Sequence, residues 1–155
     1  MNDRGVSPVI GIVLLVAITI ALAGVLATGI WGIGLPGPSP PAATIDGQAN
    51  ETSQRITLIH TGGESLNVSE ITVEIRIDGD PIPHQPTVPF AGATGYRGAP
   101  SGAFNSATSP IWSPGERTSL TLSQSNAESL TSGATVTVHL QSADGTIAVV
   151  DFPVR

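Results

Sequence analysis

The sequence predicts one long hydrophobic N-terminal α-helix followed by an all-β antiparallel sandwich. Three observations lead there. After Asp3 and Arg4 no ionisable side chain occurs until Asp46. A cluster of prolines, Pro36, Pro38, Pro40 and Pro41, closes that uncharged stretch. Beyond it the apolar residues recur with a period of two, the repeat of a half-buried strand rather than of a helix.

The helix comes first. From Pro8 to Leu35 the chain is almost wholly apolar, with Val9, Ile10, Ile12, Val13, Leu14, Leu15, Val16, Ile18, Ile20, Leu22, Val25, Leu26, Ile30 and Ile33. At about 1.5 Å per residue this run is roughly 40 Å long, more than the ~30 Å hydrocarbon layer of a bilayer. It reads as a membrane-inserting helix. Thr19 and Thr28 do not oppose insertion, because a threonine hydroxyl in a helix can bond back to the preceding turn. Ser7 is a suitable N-cap, and Pro8 fits the first helical position, where no N–H is needed. Gly32 and Gly34 weaken the last turn, and Pro36-Gly37-Pro38-Ser39-Pro40-Pro41 cannot continue a helix. That cluster is a semi-rigid extended spacer. Arg4 flanks the helix on its N-terminal side and the next cation is Arg55, so the positive-inside bias puts Met1 in the cytoplasm and the residues after Pro36 outside.

The β region follows. Ile71, Val73, Ile75 and Ile77 alternate with Thr72, Glu74, Arg76 and Asp78. Val136, Val138 and Leu140 alternate with Thr137, His139 and Gln141. Ile56-Thr57-Leu58 and Leu120-Thr121-Leu122 are shorter versions. Asp144-Gly145 predicts a tight hairpin between strands at 134–142 and 146–152. Gly62-Gly63 and Asp78-Gly79 mark further turns. Helical periodicity competes only briefly, around Asn126 to Leu130. These signals predict a small immunoglobulin-like sandwich of about six or seven strands. Asp80 to Pro114 does not fit them. It is rich in Pro, Gly, Ser and Ala and includes Phe90, Tyr96, Phe104 and Trp112. Either it is a surface insertion, or it contains strands that alternation does not reveal.

Composition narrows the function. The chain has 155 residues, no Cys, and a net charge of −6. The length suits one ordinary domain plus an appendage. The absence of Cys excludes disulfides, thiolate metal sites and thiol nucleophiles. All six basic residues are Arg, and none cluster, so phosphate neutralisation is poorly served and no nucleic-acid partner is expected. His60, His84 and His139 have no metal-ligand spacing and read as sheet-surface or loop residues, so no metal is expected. Asp78-Gly79-Asp80 lacks the later ligands of a calcium loop. Gly95, Gly98 and Gly102 are not flanked by a strand-to-helix transition and make no phosphate cradle. There is no G-x-S-x-G elbow, and Glu70 and Glu74 read as solvated groups on one strand's outer face. No enzyme and no cofactor is expected. The eleven acidic groups and five Arg of 44–155 account for the whole net charge, and acidity without Lys suits a protein working in high salt. Two sequons, Asn50-Glu51-Thr52 and Asn67-Val68-Ser69, lie on the side expected outside the membrane, so Asn50 and Asn67 are candidates for N-glycosylation.

Arg4-Gly5-Val6-Ser7-Pro8-Val9-Ile10-Gly11, running into Ile12-Val13-Leu14-Leu15-Val16-Ala17-Ile18-Thr19-Ile20, resembles the N-terminal segment of archaeal type IV pilins, especially those of haloarchaea. The resemblance covers about the first 35 residues. Downstream it is carried only by Thr61 to Leu66 and by the Ser113 to Glu116 turn. It implies a pilin-like division into a class III leader at 1–5, a transmembrane and filament-core helix at 6–35, a Pro-rich linker at 36–43 and a β head at 44–155. It also implies cleavage between Gly5 and Val6 by a membrane-embedded prepilin peptidase, with Arg4 and Gly5 recognised and Val6 the mature N-terminus. The partners it implies are further copies of the chain or other pilins, the pilus assembly machinery, and the membrane that holds the precursor before export to a surface pilus. Bacterial type IV pilins carry Glu at the fifth mature position; here Ile10 stands there, so docking through that Glu does not carry over.

Lipid and a filament core are similarly apolar, so helix association between them must come from close packing through small residues. Gly11, Ala17, Ala21, Gly24 and Ala27 supply these, and Ala17, Ala21 and Gly24 share one face at i, i+4 and i+7. The β head would then coat the filament and serve adhesion or cell contact, with Asp80–Pro114 the candidate contact segment. Three other readings compete. A signal peptidase could cut after Ala21-Leu22-Ala23, before Gly24, releasing a secreted β domain. An uncut helix could anchor a binding domain that never polymerises. An archaellin-like subunit would share the same physics, and the Ser7-Pro8 start favours adhesive pili over it.

Overall fold

The computed structural model describes residues 6–32, 37–126 and 130–155, with the backbone alone for 6, 7 and 28–32. The chain divides into two compact units, Met1–Gly37 and Pro38–Arg155. In the first, helix α1 runs from Val6 to Gly32. It starts two residues earlier than a Ser7 N-cap requires, so Ser7 lies inside the first turn. Pro8 is still harmless there, because the first four N–H groups of any helix have no intrahelical partner. α1 ends at Gly32; the expected extension through Gly34 to Leu35 and the start of the proline linker at Pro36 lie outside the described residues.

In the second unit, residues 38–42 lack regular structure and lead into nine strands among the described residues. These are β1 (Ala43–Asn50), β2 (Arg55–Gly63), β3 (Leu66–Asn67), β4 (Ile71–Ile77), β5 (Asp80–Pro81), β6 (Ile111–Trp112), β7 (Arg117–Thr121), β8 (Thr135–Ser142) and β9 (Gly145–Pro153). They form a three-stranded sheet β1-β2-β7, a four-stranded sheet β5-β4-β8-β9 and a small β3-β6 pair, all antiparallel. The alternating segments become the strands they predict. Val73 sits opposite Leu140 and Ile75 opposite Val138, so the inward faces of β4 and β8 are continuous. Asp78 (φ 52°) and Gly79 (φ 91°) make the expected β4–β5 turn, both in the left-handed region. Gly62-Gly63 is not a turn: both residues belong to β2 and pair with β1, opposite Thr44 and Ala43. Part of the weak helical signal at Asn126 to Leu130, residues 127–129, lies outside the described residues.

The inner faces of both larger sheets share one hydrophobic cluster. β1 enters it through Ile45, Gly47 and Ala49, and two of these residues are too small to show as apolar alternation. Gly47 is there for space: a methyl group on its Cα would lie 1.9 Å from the ring of Phe152. Gly47→Ala therefore forces the β1–β9 contact apart. Overpacking of this kind costs about 1–3 kcal/mol, and thermal melting of the detergent-solubilised chain should fall by roughly 4–8 °C per kcal/mol. An unchanged melting temperature would show that Phe152 moves aside freely.

Asp80 to Pro114 is not a surface insertion. It contributes Ile82, Phe90, Tyr96, Phe104 and Trp112 to the cluster, with Phe104 and Trp112 completely buried. Phe104 meets Trp112 nearly edge-on at 5.5 Å, and Phe90 meets Tyr96 at 5.2 Å. The segment holds only β5, β6 and a 3-10 turn at Gly102–Phe104. Side chains tie it down instead. Asn126 accepts from the His84 N–H at 2.8 Å and donates to the Gly95 carbonyl at 2.9 Å. The Tyr96 hydroxyl donates to the His84 carbonyl at 2.7 Å, and burial pushes that phenol above its ordinary range, outweighing the lowering by Asn126. Gln85 accepts from the Ile75 N–H and donates to the Ile75 carbonyl, covering the open side of β4.

Candidate functional site

α1 is the feature with no counterpart in an ordinary soluble fold. Pro8–Ala27 has a mean hydropathy of 3.0, and none of it is buried within the chain. The large side chains from Val9 to Leu26 are 49% to 68% exposed. They surround the helix on all sides, as in a membrane span, rather than lining one stripe. The Thr19 hydroxyl returns to the Leu15 carbonyl at 2.8 Å, so the polar group is satisfied inside the helix as expected. The Thr28 side chain lies outside the described residues.

At about 100° per residue, Ala17, Ala21 and Gly24 fall within roughly 60° of one another, while Gly11 lies about 80° away from that face. A methyl group added at Gly11 or Gly24 would meet no atom of the described residues within 4 Å. Mid-helix glycine costs about 0.5–1 kcal/mol relative to alanine. Arg4 and Gly5, the expected recognition pair, lie outside the described residues; Val6 opens the helix.

Residues 4–45 match the family model for the N-terminal region of archaeal type IV pilins. The N-terminal segment is similar to that of archaeal type IV pilins. This pilin-type segment precedes a head of antiparallel β-sheets, and its apolar helix fits attachment to a membrane or display at a surface. An uncharacterized protein of Archaeoglobus fulgidus is 39% identical over 77 residues, 49% of this chain and 55% of that one, so the chain covers little more than half the length of that relative. The archaellum periplasmic stator protein FlaG from Sulfolobus acidocaldarius is similar in structure with a TM-score of 0.43 at 15% identity, covering 72% of this chain and 99% of that one.

The head places the remaining candidates apart from one another. His60 is not a surface residue. It points inward from β2 after Ile56 and Leu58, is completely buried, and lies 5.5 Å from the Trp112 ring in a near-perpendicular arrangement. Its Nε2 bonds the Glu64 carbonyl at 2.9 Å, while Nδ1 has no partner among the described residues. His84 lies in the Asp80–Pro114 segment and His139 on β8. Glu70 and Glu74 do not share a strand face either. Glu70 ends a 3-10 turn at Val68–Glu70, and Glu74 pairs with Arg76 at 2.8 Å on the surface of β4. An exposed pair of this kind contributes about 0–1 kcal/mol. Among the described residues no three of His, Asp and Glu converge as a metal site would need.

The two sequons also differ. Asn50 ends β1 and is exposed, at the start of a four-residue turn to β2. Asn67 is half-buried and caps the 3-10 turn: its Oδ1 accepts from the Ser69 N–H at 3.2 Å and its Nδ2 donates to Glu70 Oε1 at 3.0 Å. Asn67-x-x-Glu70 has the spacing of a capping box, a signal present in the sequence but not used in placing Glu70. The inward position of His60 was likewise legible in the 56, 58, 60 alternation of β2.

Proposed function

We propose that this chain is a structural, non-enzymatic subunit of an archaeal type IV pilus. The observation that carries the proposal is a 20-residue span of α1 with apolar side chains on every side, in a chain whose head buries its own core. Such a helix must be covered by lipid or by other helices. In this reading a prepilin peptidase removes residues 1–5, Val6 becomes the N-terminus, and the pilus machinery lifts the helix from the membrane into a staggered bundle of copies of this chain or of related pilins. Lipid offers no hydrophobic gradient between helices, so bundling depends on close packing at Ala17, Ala21 and Gly24, with Gly11 on a second face. Head-to-tail contacts that do not close into a ring extend the filament. The β heads then face outward for adhesion or cell contact. The aromatics of Asp80–Pro114 are internal, so any contact made by that segment uses its exposed small and polar residues.

Antibody raised against residues 43–155 should decorate threads at the exterior of producing cells in electron micrographs. Label confined to the cell body would contradict the proposal. Ala21→Leu adds bulk to the packing face without reducing apolarity. Membrane insertion should be unchanged and filament yield should fall at least tenfold, measured by shearing and quantifying surface threads. Normal filament yield would remove Ala21 from the interface.

A further inference from the structure

We infer that Asn50 carries an N-linked oligosaccharide and that Asn67 remains bare. The inference rests on the reading that places the head outside the membrane. Transfer joins the Asn side-chain nitrogen to the anomeric carbon of an oligosaccharide supplied on a lipid diphosphate. The new C–N bond forms as the sugar–phosphate bond breaks, the lipid diphosphate leaves, and the nitrogen loses one proton. The folded head therefore has to present an amide nitrogen that is accessible and not engaged, with space beside it for the first sugar.

Asn50 meets those requirements. Its Oδ1 accepts from the Ser53 N–H and hydroxyl, both at 2.9 Å, which fixes the side chain, while its Nδ2 has no hydrogen-bond partner among the described residues. The turn that presents it is firmly held. The Glu51 N–H donates to the Arg155 carbonyl at 2.8 Å, and Gln54 exchanges side-chain hydrogen bonds with the backbone of Leu130, both at 2.8 Å. Thr52, the hydroxyl residue of the sequon, is exposed between these two anchors. Beside Asn50 opens a cleft of about 460 Å³ lined by polar side chains that include Gln48, Arg55, Asp151 and Arg155, groups suited to sugar hydroxyls.

Asn67 fails the same requirements. Both ends of its amide are occupied, by Ser69 and Glu70. It is half-buried in a recess of about 200 Å³ between Pro41 of the linker and the β8–β9 turn at Ser142 and Asp144. An oligosaccharide there would have to displace the Glu70 bond and the recess wall.

The test is glycopeptide mass spectrometry of the full chain purified from producing cells whose other surface proteins carry N-glycans. External protease shaving of intact cells runs alongside it to report where the head is. A glycan on Asn50 with unmodified Asn67 is the expected result. Asn50→Gln and Thr52→Ala should each remove the entire gel-mobility shift, while Asn67→Gln and Ser69→Ala should leave it unchanged. A bare Asn50 in a head that protease shaves from the outside overturns this inference and leaves the pilus reading standing. A bare Asn50 in a head shielded from protease overturns both. A glycan on Asn67, alone or with Asn50, overturns the selectivity.

Discussion

Replacing Gly5 with Trp should abolish surface filaments and leave full-length chain, beginning at Met1, in the membrane. On the proposed reading Gly5 is the last residue before the cut, and Trp there sets an indole beside the bond to be cleaved. The substitution lies before α1 and outside the head, so insertion of the apolar helix and melting of the β domain should be unaffected. Mature chain and precursor differ by the five residues 1–5, a difference that mass spectrometry of the membrane fraction resolves directly. Filaments of normal abundance from the Gly5→Trp chain would show that processing does not occur at this bond.

Trp112→Ala should destabilise the head more than any substitution of its surface. Trp112 is completely buried, 5.5 Å from both the Phe104 and His60 rings, and its Nε1 donates to the Glu116 carbonyl at 3.2 Å. Truncation removes the contacts, leaves a cavity between the Asp80–Pro114 segment and β2, and leaves the Glu116 carbonyl with only the His60 N–H as donor. Large-to-small changes of this kind cost about 3–5 kcal/mol, against roughly 5–15 kcal/mol for the total stability of a typical domain. The detergent-solubilised chain should lose its cooperative melt near physiological temperature, or retain it with a midpoint lowered by more than about 10 °C. Trp112→Phe keeps most of the packing and should lose less than half as much. Near-native melting of Trp112→Ala would mean that the long segment is not part of the cooperative core.

Why the fold was only partly legible follows from where the core residues come from. β4 and β8 show in the sequence because branched side chains alternate with polar ones along regular strands, and β9 shows through the Asp144-Gly145 turn that precedes it. β1 is nearly silent: its inward residues after Ile45 are Gly47, which leaves room for the Phe152 ring, and Ala49, both with little apolar area. Asp80–Pro114 is silent for a different reason. Ile82, Phe90, Tyr96, Phe104 and Trp112 enter the core at irregular spacing, and the backbone between them is held by Asn126, Gln85 and Tyr96 rather than by long ladders. Those partners are distant in sequence, so no local period announces them. The N-terminal helix is the opposite case. Its side chains are apolar on every side of the helix, so composition alone specifies it, and Gly11, Ala17, Ala21 and Gly24 can be placed around its axis from helical geometry. The state of the two sequons depended on hydrogen bonds, and only the folded head separates Asn50 from Asn67.

The most direct test of the chain as a filament-building unit is to determine its first residue in threads sheared from the cell surface and purified free of membrane. Chain recovered from those threads should begin at Val6, with α1 intact. Threads that lack this chain, or that contain it starting at Met1 or Gly24, would contradict assembly through a trimmed and retained N-terminal helix.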